Sequence, residues 1–156
     1  VAVAGAHGKT TTSSMLSCIA SEAGIDPTVV IGGIVASLGG NALNGKSDYV
    51  IAEADESDGS FLKFHPWLEV VTNIENDHLD HYGSVEKIQE AFTQFVDNLK
   101  DGGKAVLCFD NPKVKALAAK TKKTFISYAI DDSEADYTAK NIIFGTNGTN
   151  FDVYFH

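Results

Sequence analysis

The sequence predicts an α/β fold: a mostly parallel sheet with flanking helices, organised around a phosphate loop (P-loop), with a small antiparallel segment near the C-terminus. Three observations predict it. The chain opens on Val1-Ala-Val-Ala4, small apolar residues that read as a buried strand, followed by the turn Gly5 to Gly8 and a helix that starts at Lys9. Up to Asp131, strand-like and helix-like segments alternate with connections of a few residues, as a parallel sheet requires. Beyond Asp131 the apolar runs are short and separated by Gly145, Asn147-Gly148 and Asn150, which suits a hairpin or a small flanking sheet.

The opening turn carries the strongest chemical signal. A helix beginning at Lys9 points unpaired N–H groups and the positive end of its dipole into the turn, which makes the turn an anion site. Gly5 and Gly8 let the backbone curl close to a phosphate, Lys9 reaches a terminal phosphoryl group as a point charge, and the Thr10 hydroxyl is where Mg2+ is held. The run from Gly5 through Ala6, His7, Gly8, Lys9 and Thr10 to Thr11 is a shortened form of G-x-x-x-x-G-K-[ST], whose first glycine would fall on Val3. Neither Ala6 nor His7 is demanded by phosphate chemistry.

The remaining elements follow in order. Met15, Leu16, Ile19, Ala20 and Ala23 recur at helical spacing and predict the face that packs on the sheet, with Gly24 as the stop. Residues 28–35 read as a β-branched strand interrupted by Gly32-Gly33, and 38–46 as a loop or weak hairpin tip. Tyr49 to Glu53 is an apolar strand that runs into an acid. At the C-terminal edge of a parallel sheet such a carboxylate stands where ligands bind, and it needs a partner to offset its desolvation; Mg2+ opposite a phosphate loop is that partner. Asp55 and Asp58, just beyond, read as a solvated acidic turn.

Residues 60–64 suit a short helical turn, 67–72 a strand, and 73–81 the loop at its end, with Asp77, His78, Asp80 and His81. No cysteine accompanies this cluster, so zinc is poorly supported. His81 reads as a solvated loop residue; spacing alone leaves His78 equally a site residue or a loop residue. Ser84 can cap a helix with the apolar stripe Val85, Ile88, Phe92, Phe95, Val96 and Leu99. A strand over 105–109, a short helix over 114–119 after Asn111-Pro112, and a strand over 124–129 complete the alternation.

At 156 residues, with 44% hydrophobic and 21% charged residues, the chain has the balance of one globular domain with a buried core. A net charge of -9 and the lack of any arginine argue against a nucleic-acid surface. Any cation used beyond Lys9 must then be another lysine, a metal, or a residue from outside this chain. No apolar run approaches the roughly 18 to 20 residues of a membrane span. Cys18 and Cys108 lack metal or redox spacing and read as reduced thiols of a cytoplasmic protein.

Three stretches in order carry a family resemblance: Gly5-Ala-His-Gly-Lys-Thr-Thr-Thr12, Ala52-Glu-Ala-Asp-Glu-Ser-Asp58 with Ser60-Phe-Leu62, and Val71-Thr-Asn-Ile-Glu-Asn-Asp-His-Leu-Asp80. Together they resemble the central ATP-binding domain of the Mur ligases, in its alanine-adding branch. The resemblance implies the cofactors ATP and Mg2+, and the joining of UDP-N-acetylmuramate to L-alanine through an acyl phosphate in peptidoglycan precursor synthesis. It implies Lys9, Glu53 and His78 as the catalytic set: Lys9 on the β and γ phosphates, Thr10 and Glu53 on one Mg2+, and His78 on a second. The loop Gly5 to Thr11 is implied as the nucleotide site, and Glu56, Asn73 and Asp77 are further candidates beside the substrate or behind the ligands.

The chain departs from the family where Ala6 replaces the usual Thr of the loop. Sister ligases carry a carbamylated lysine in the helix after the histidine motif; here that helix offers only Lys87, too early, and Glu56 is a candidate to fill the gap. The chain is expected to be truncated, with the N-terminal UDP-binding and C-terminal amino-acid-binding domains outside it. Other readings are a murein-peptide recycling ligase of the same family, a nucleotide-binding switch without ligase chemistry, and a metal-binding interaction domain built on His78 and His81.

Overall fold

The computed structural model describes residues 1–35 and 39–156. Among them one nine-stranded sheet runs through the molecule in the order β3-β2-β4-β1-β5-β6-β7-β8-β9. Its strands are β1 (Ala2–Ala4), β2 (Thr28–Val35), β3 (Gly40–Leu43), β4 (Val50–Glu53), β5 (Leu68–Val71), β6 (Lys104–Cys108), β7 (Phe125–Ala129), β8 (Tyr137–Gly145) and β9 (Gly148–Phe155). From β2 across to β8 every neighbouring pair is parallel, while β3 and β9 close the two edges antiparallel. The helices are α1 (Lys9–Glu22), α2 (Leu79–Tyr82), α3 (Val85–Asp97) and α4 (Pro112–Ala118), with a 3-10 turn over Ser60–Lys63.

The order places the site. From β1 the chain moves one way to β2 and β4, then crosses back to β5 on β1's other side, so the winding reverses at β1. Ligands in open α/β sheets bind beyond the strand ends at such a reversal. In register Val3 lies beside Glu53 and Ala4 beside Val71, which brings the segments following β1, β4 and β5 to one edge.

The core lies between the sheet and α3. Ser84 caps α3 by accepting from the Lys87 N–H, and Ile88, Ala91, Phe92, Phe95 and Val96 are its buried face. The Phe61 ring, fully buried, stacks on Phe95 at 5.0 Å and meets Phe92 edge-on at 5.2 Å, tying the 3-10 turn to this core. Burying each such ring is worth about 1.5–3 kcal/mol.

Several expectations change. The buried residues of α1 are Ser13, Ser17 and Ala20; of the predicted stripe Ala20 is buried, but Met15 is 57% and Ile19 66% exposed. Gly32-Gly33 does not interrupt β2, which continues to Val35 with a register shift against β3. Gly40–Leu43 is a strand, whereas Leu38 of that predicted loop lies outside the described residues. His81 sits in α2 rather than in a loop, because the chain turns helical at Leu79. The C-terminal segments form one hairpin whose first strand pairs parallel with β7, so it extends the main sheet; its register shifts between Lys140 and Ile143, with Asn141 at φ 53°.

Glu69 on β5 is fully buried beside Ala2 and Ala105, and neither carboxyl oxygen has a hydrogen-bond partner. Burial pushes its carboxyl up to about 8, against the pull of Lys123 and with a further rise from Asp97. The folded chain therefore holds a proton that the unfolded chain releases from about pH 4.5, and stability falls as pH rises towards about 8. Glu69→Gln removes that dependence. Its stability relative to the parent, from denaturant unfolding, should improve steadily from pH 5 to pH 8, by at most about 4 kcal/mol; a difference independent of pH would contradict the buried acid's role.

Candidate active site

Gly5 follows β1 at φ +133°, and a Cβ there would stand 2.1 Å from Thr72 Oγ1 and 3.0 Å from the Asn73 backbone. Only glycine admits this approach. The turn is then stitched to the end of β5: Ala6 N–H donates to Asn73 O (3.3 Å), His7 N–H to Asn73 Oδ1 (2.9 Å), and His7 O accepts from Thr72 Oγ1 (2.7 Å) and Asn73 Nδ2 (2.8 Å). Asn73 thus supports the loop.

Gly8, at φ 85°, is the N-cap of α1, which has no side-chain cap and no acid in its first turn. The first N–H groups of α1 and its dipole consequently face the site without a resident side-chain acceptor. Thr11 is exposed on this first turn. Lys9 curls back over the loop: its ammonium donates to Gly5 O at 2.7 Å and to Glu56 Oε1 at 3.1 Å, and lies 2.9 Å from Glu56 Oε2.

Thr10 faces the other way. Its hydroxyl lies 3.1 and 3.2 Å from the two oxygens of Glu53, and Gly32 N–H donates to Glu53 Oε2 at 2.9 Å. These groups line a cleft of about 440 Å³ with Lys9, Asp55, Val30, Ile31 and Gly33. The glycine pair serves this packing: a Cβ on Gly32 would come to 3.3 Å from Glu53 Oε1, and one on Gly33 to 3.2 Å from Thr10 Cγ2. A hydroxyl and a carboxylate side by side are hard oxygen donors, the set that suits Mg2+.

His78 is placed elsewhere. It caps α2 at φ 60°, and its Nε2 lies 3.8 Å from Glu56 Oε1. Its ring thus stands beside Glu56, and among the described residues no three His, Cys, Asp or Glu side chains form one metal-holding group. The predicted residues form two groups, Thr10 with Glu53 and His78 with Glu56, with Lys9 next to Thr10 in sequence and bound to Glu56. Asp77 Oδ2 stands 4.0 Å from His7 Nε2, both side chains being largely exposed, which is a weak pairing. Asp55 and Asp58 cap their own turn through Ser57 and Ser60.

Sequence reasoning missed Thr72, Tyr82 and Gly32 as parts of the site. The Tyr82 hydroxyl donates to Glu56 O at 2.5 Å, and desolvation followed by the charges of Glu56, Asp58 and Asp55 pushes its own ionisation up to about 12. The paired glycines inside a β-branched strand were the available signal for Gly32; nothing local marks Tyr82.

A family profile described as Mur ligase middle domain matches residues 3–156. The chain belongs to the Mur ligase family. It is 51% identical over 155 residues to a UDP-N-acetylmuramate--L-alanine ligase of Pelotomaculum thermopropionicum, covering 99% of this chain and 34% of that protein. Its fold matches UDP-N-acetylmuramate-alanine ligase MurC of Thermotoga maritima at a TM-score of 0.85 and 28% identity, over 99% of this chain and 34% of that one. A UDP-N-acetylmuramate:L-alanyl-gamma-D-glutamyl-meso-diaminopimelate ligase of Neisseria meningitides matches at 0.84 and 27%, over 99% and 51%. The chain spans about a third of the length of the curated relatives it matches.

Placing a methyl group at Gly5 of this Mur ligase domain should cost at least about 1–3 kcal/mol from the backbone conformation alone. Gly5→Ala is therefore expected to lower the midpoint of denaturant unfolding, and an unchanged midpoint would show that the turn does not require the approach to Thr72.

Proposed function

We propose that the chain is the ATP-binding middle domain of a ligase that joins UDP-N-acetylmuramate to L-alanine, flanked in the whole enzyme by a UDP-binding and an amino-acid-binding domain. The single observation that carries the reading is the Thr10 hydroxyl against the Glu53 carboxylate, at the uncapped start of α1 and next to Lys9. The names of the curated relatives support the alanine-adding substrate pair.

In this reading the nucleotide phosphates lie at the start of α1, where the loop N–H groups and the Lys9 ammonium offset their charge. Thr10 and Glu53 would hold a Mg2+ ion beside the phosphates, and His78 would contribute to a second Mg2+ position. When bound, the metal neutralises charge on the transferring phosphoryl group. The acceptor carboxylate takes the γ-phosphoryl group, and the amine of L-alanine then displaces phosphate to form the amide. Glu53 is oriented for its part by the Gly32 N–H, and the stitch from Thr72 and Asn73 keeps the loop backbone in place. Catalysis on this view is positioning plus electrostatics.

The murein-peptide ligase reading rests on the nearly equal structural likeness to the enzyme from Neisseria. Amino-acid choice separates it: phosphate release by the complete enzyme should depend on free L-alanine rather than on L-alanyl-γ-D-glutamyl-meso-diaminopimelate.

Lys9→Gln keeps an N–H donor for Gly5 O and Glu56 while removing the charge. In the complete enzyme it should lower ATP-dependent joining by about 10²-fold or more; unchanged turnover would remove Lys9 from the reaction. Glu53→Gln and His78→Ala should each raise the Mg2+ concentration for half-maximal activity about 10-fold or more. A titration superimposing on the parent would exclude that residue as a ligand.

A further inference from the structure

Glu56 is 2% exposed, yet the reaction as proposed gives it no task. Its backbone is fixed, because the carbonyl accepts from the Tyr82 hydroxyl at 2.5 Å and from Gly59 N–H at 3.2 Å. The carboxylate faces Lys9 on both oxygens, at 3.1 and 2.9 Å, and Oε2 has no well-directed hydrogen bond despite that proximity. His78 Nε2, 3.8 Å from Oε1, is the other basic group facing it. A carboxylate removed from water to this extent depends on its counter-ion. That counter-ion is the same ammonium a nucleotide phosphate would need.

We propose that Glu56 is a positioning residue: an internal anion that holds the Lys9 ammonium on the loop carbonyl of Gly5 and competes with the incoming phosphate for it. The inference rests on the reading that a nucleotide triphosphate binds at Lys9. Before nucleotide arrives, Lys9 already has an acceptor on Gly5 O and a charge partner on Glu56, so its long side chain is ordered in advance. A phosphate meets that ammonium only by sharing it with a buried like charge. Ground-state affinity is thereby lowered, while the lysine stays aimed at the place where charge develops in the transition state. The same carboxylate touches Lys9 and neighbours His78, so movement of the lysine onto phosphate frees an oxygen beside the histidine.

The sign of the effect separates this role from a structural one. In the complete enzyme, Glu56→Gln keeps the shape and a polar contact to Lys9 but removes the competing charge. It should tighten the Kd of a non-hydrolysable ATP analogue and lower the KM for ATP, each at least threefold, while kcat falls; loss of ground-state strain has this pattern. A merely structural residue would give a weaker Kd, and an unchanged or weaker Kd in a folded Glu56→Gln enzyme overturns the proposal. Should that variant not fold, Glu56→Asp draws the competing carboxylate back from Lys9 by one methylene. It should tighten the same analogue at least twofold, and no tightening overturns the proposal. If the parent enzyme binds no analogue, or Lys9→Gln binds it equally well, the nucleotide reading itself fails and this inference falls with it. Binding that depends on Lys9 but is not tightened by Glu56→Gln defeats this inference alone.

Discussion

The close approach of Gly5 to Thr72 and Asn73 is the constraint on which the other features depend. It joins the end of β1 to the end of β5 across 65 residues and more of sequence, and the hydrogen bonds that hold it run to both the N–H and the carbonyl of His7. Each is worth about 0.5–1.5 kcal/mol net, so the set is a substantial part of the 5–15 kcal/mol typical of a domain. With the turn fixed, Gly8 can break into α1 at the one angle that aims its first N–H groups past Lys9 and sets Thr10 against Glu53. A looser turn would leave the same residues present but without a common direction.

The electrostatics follow from that geometry and from composition. With a net charge of -9 and no arginine, the chain has few cations to offer a polyphosphate. The segments that would receive one carry Glu53 at the end of β4, Asp55, Glu56, Asp58 and Asp77 in the loops beyond β4 and β5, and Asp80 in α2. Lys9 is already engaged by Glu56. On the proposed reading, backbone N–H groups at the start of α1 would bear much of the anion-binding duty, and a divalent cation held by Thr10 and Glu53 would convert an acidic wall from a repulsive surface into a ligand.

Sequence periodicity located the alternating strands and helices because parallel strands buried on both faces leave apolar runs, and Ser84 and Asn111 mark their helices by capping them. The turn between β1 and α1 and the acid closing β4 were legible because glycines flank the one and a carboxylate leaving a buried strand needs something to offset its cost, whereas spacing alone left His78 open. What escaped was set by distant contacts. Tyr82 reaches Glu56 from 26 positions away, and Thr72 grips His7 from 65, neither with a local pattern to announce it. Gly32-Gly33 resembled a break in a strand, whereas its function is steric: it clears room for Glu53 and Thr10. The acidic turn was legible as a whole, but that Glu56 is buried while Asp55 and Asp58 stay exposed is decided by Lys9 and Tyr82.

The reversed face of α1 has the same origin. A hydrophobic stripe normally faces the sheet, yet here Ser13, Ser17 and Ala20 do so and Met15 and Ile19 face outward. Small side chains let a helix lie close against a sheet; Ser17 Oγ bonds back to Ser13 O at 2.7 Å within the helix, whereas Ser13 Oγ is buried without a hydrogen-bond partner. Bulky residues under α1 would lift its axis, and its first turn would rise with it, away from Glu53 and from the glycine at position 33. Closeness at the N-terminus is needed for the Thr10 and Glu53 contact, and a straight helix can be close at one end only if its remaining turns are compatible with it. The helix therefore gives up apolar burial along its length to fix the height of three residues at its start, which is the trade expected where a site, rather than the core, sets the packing.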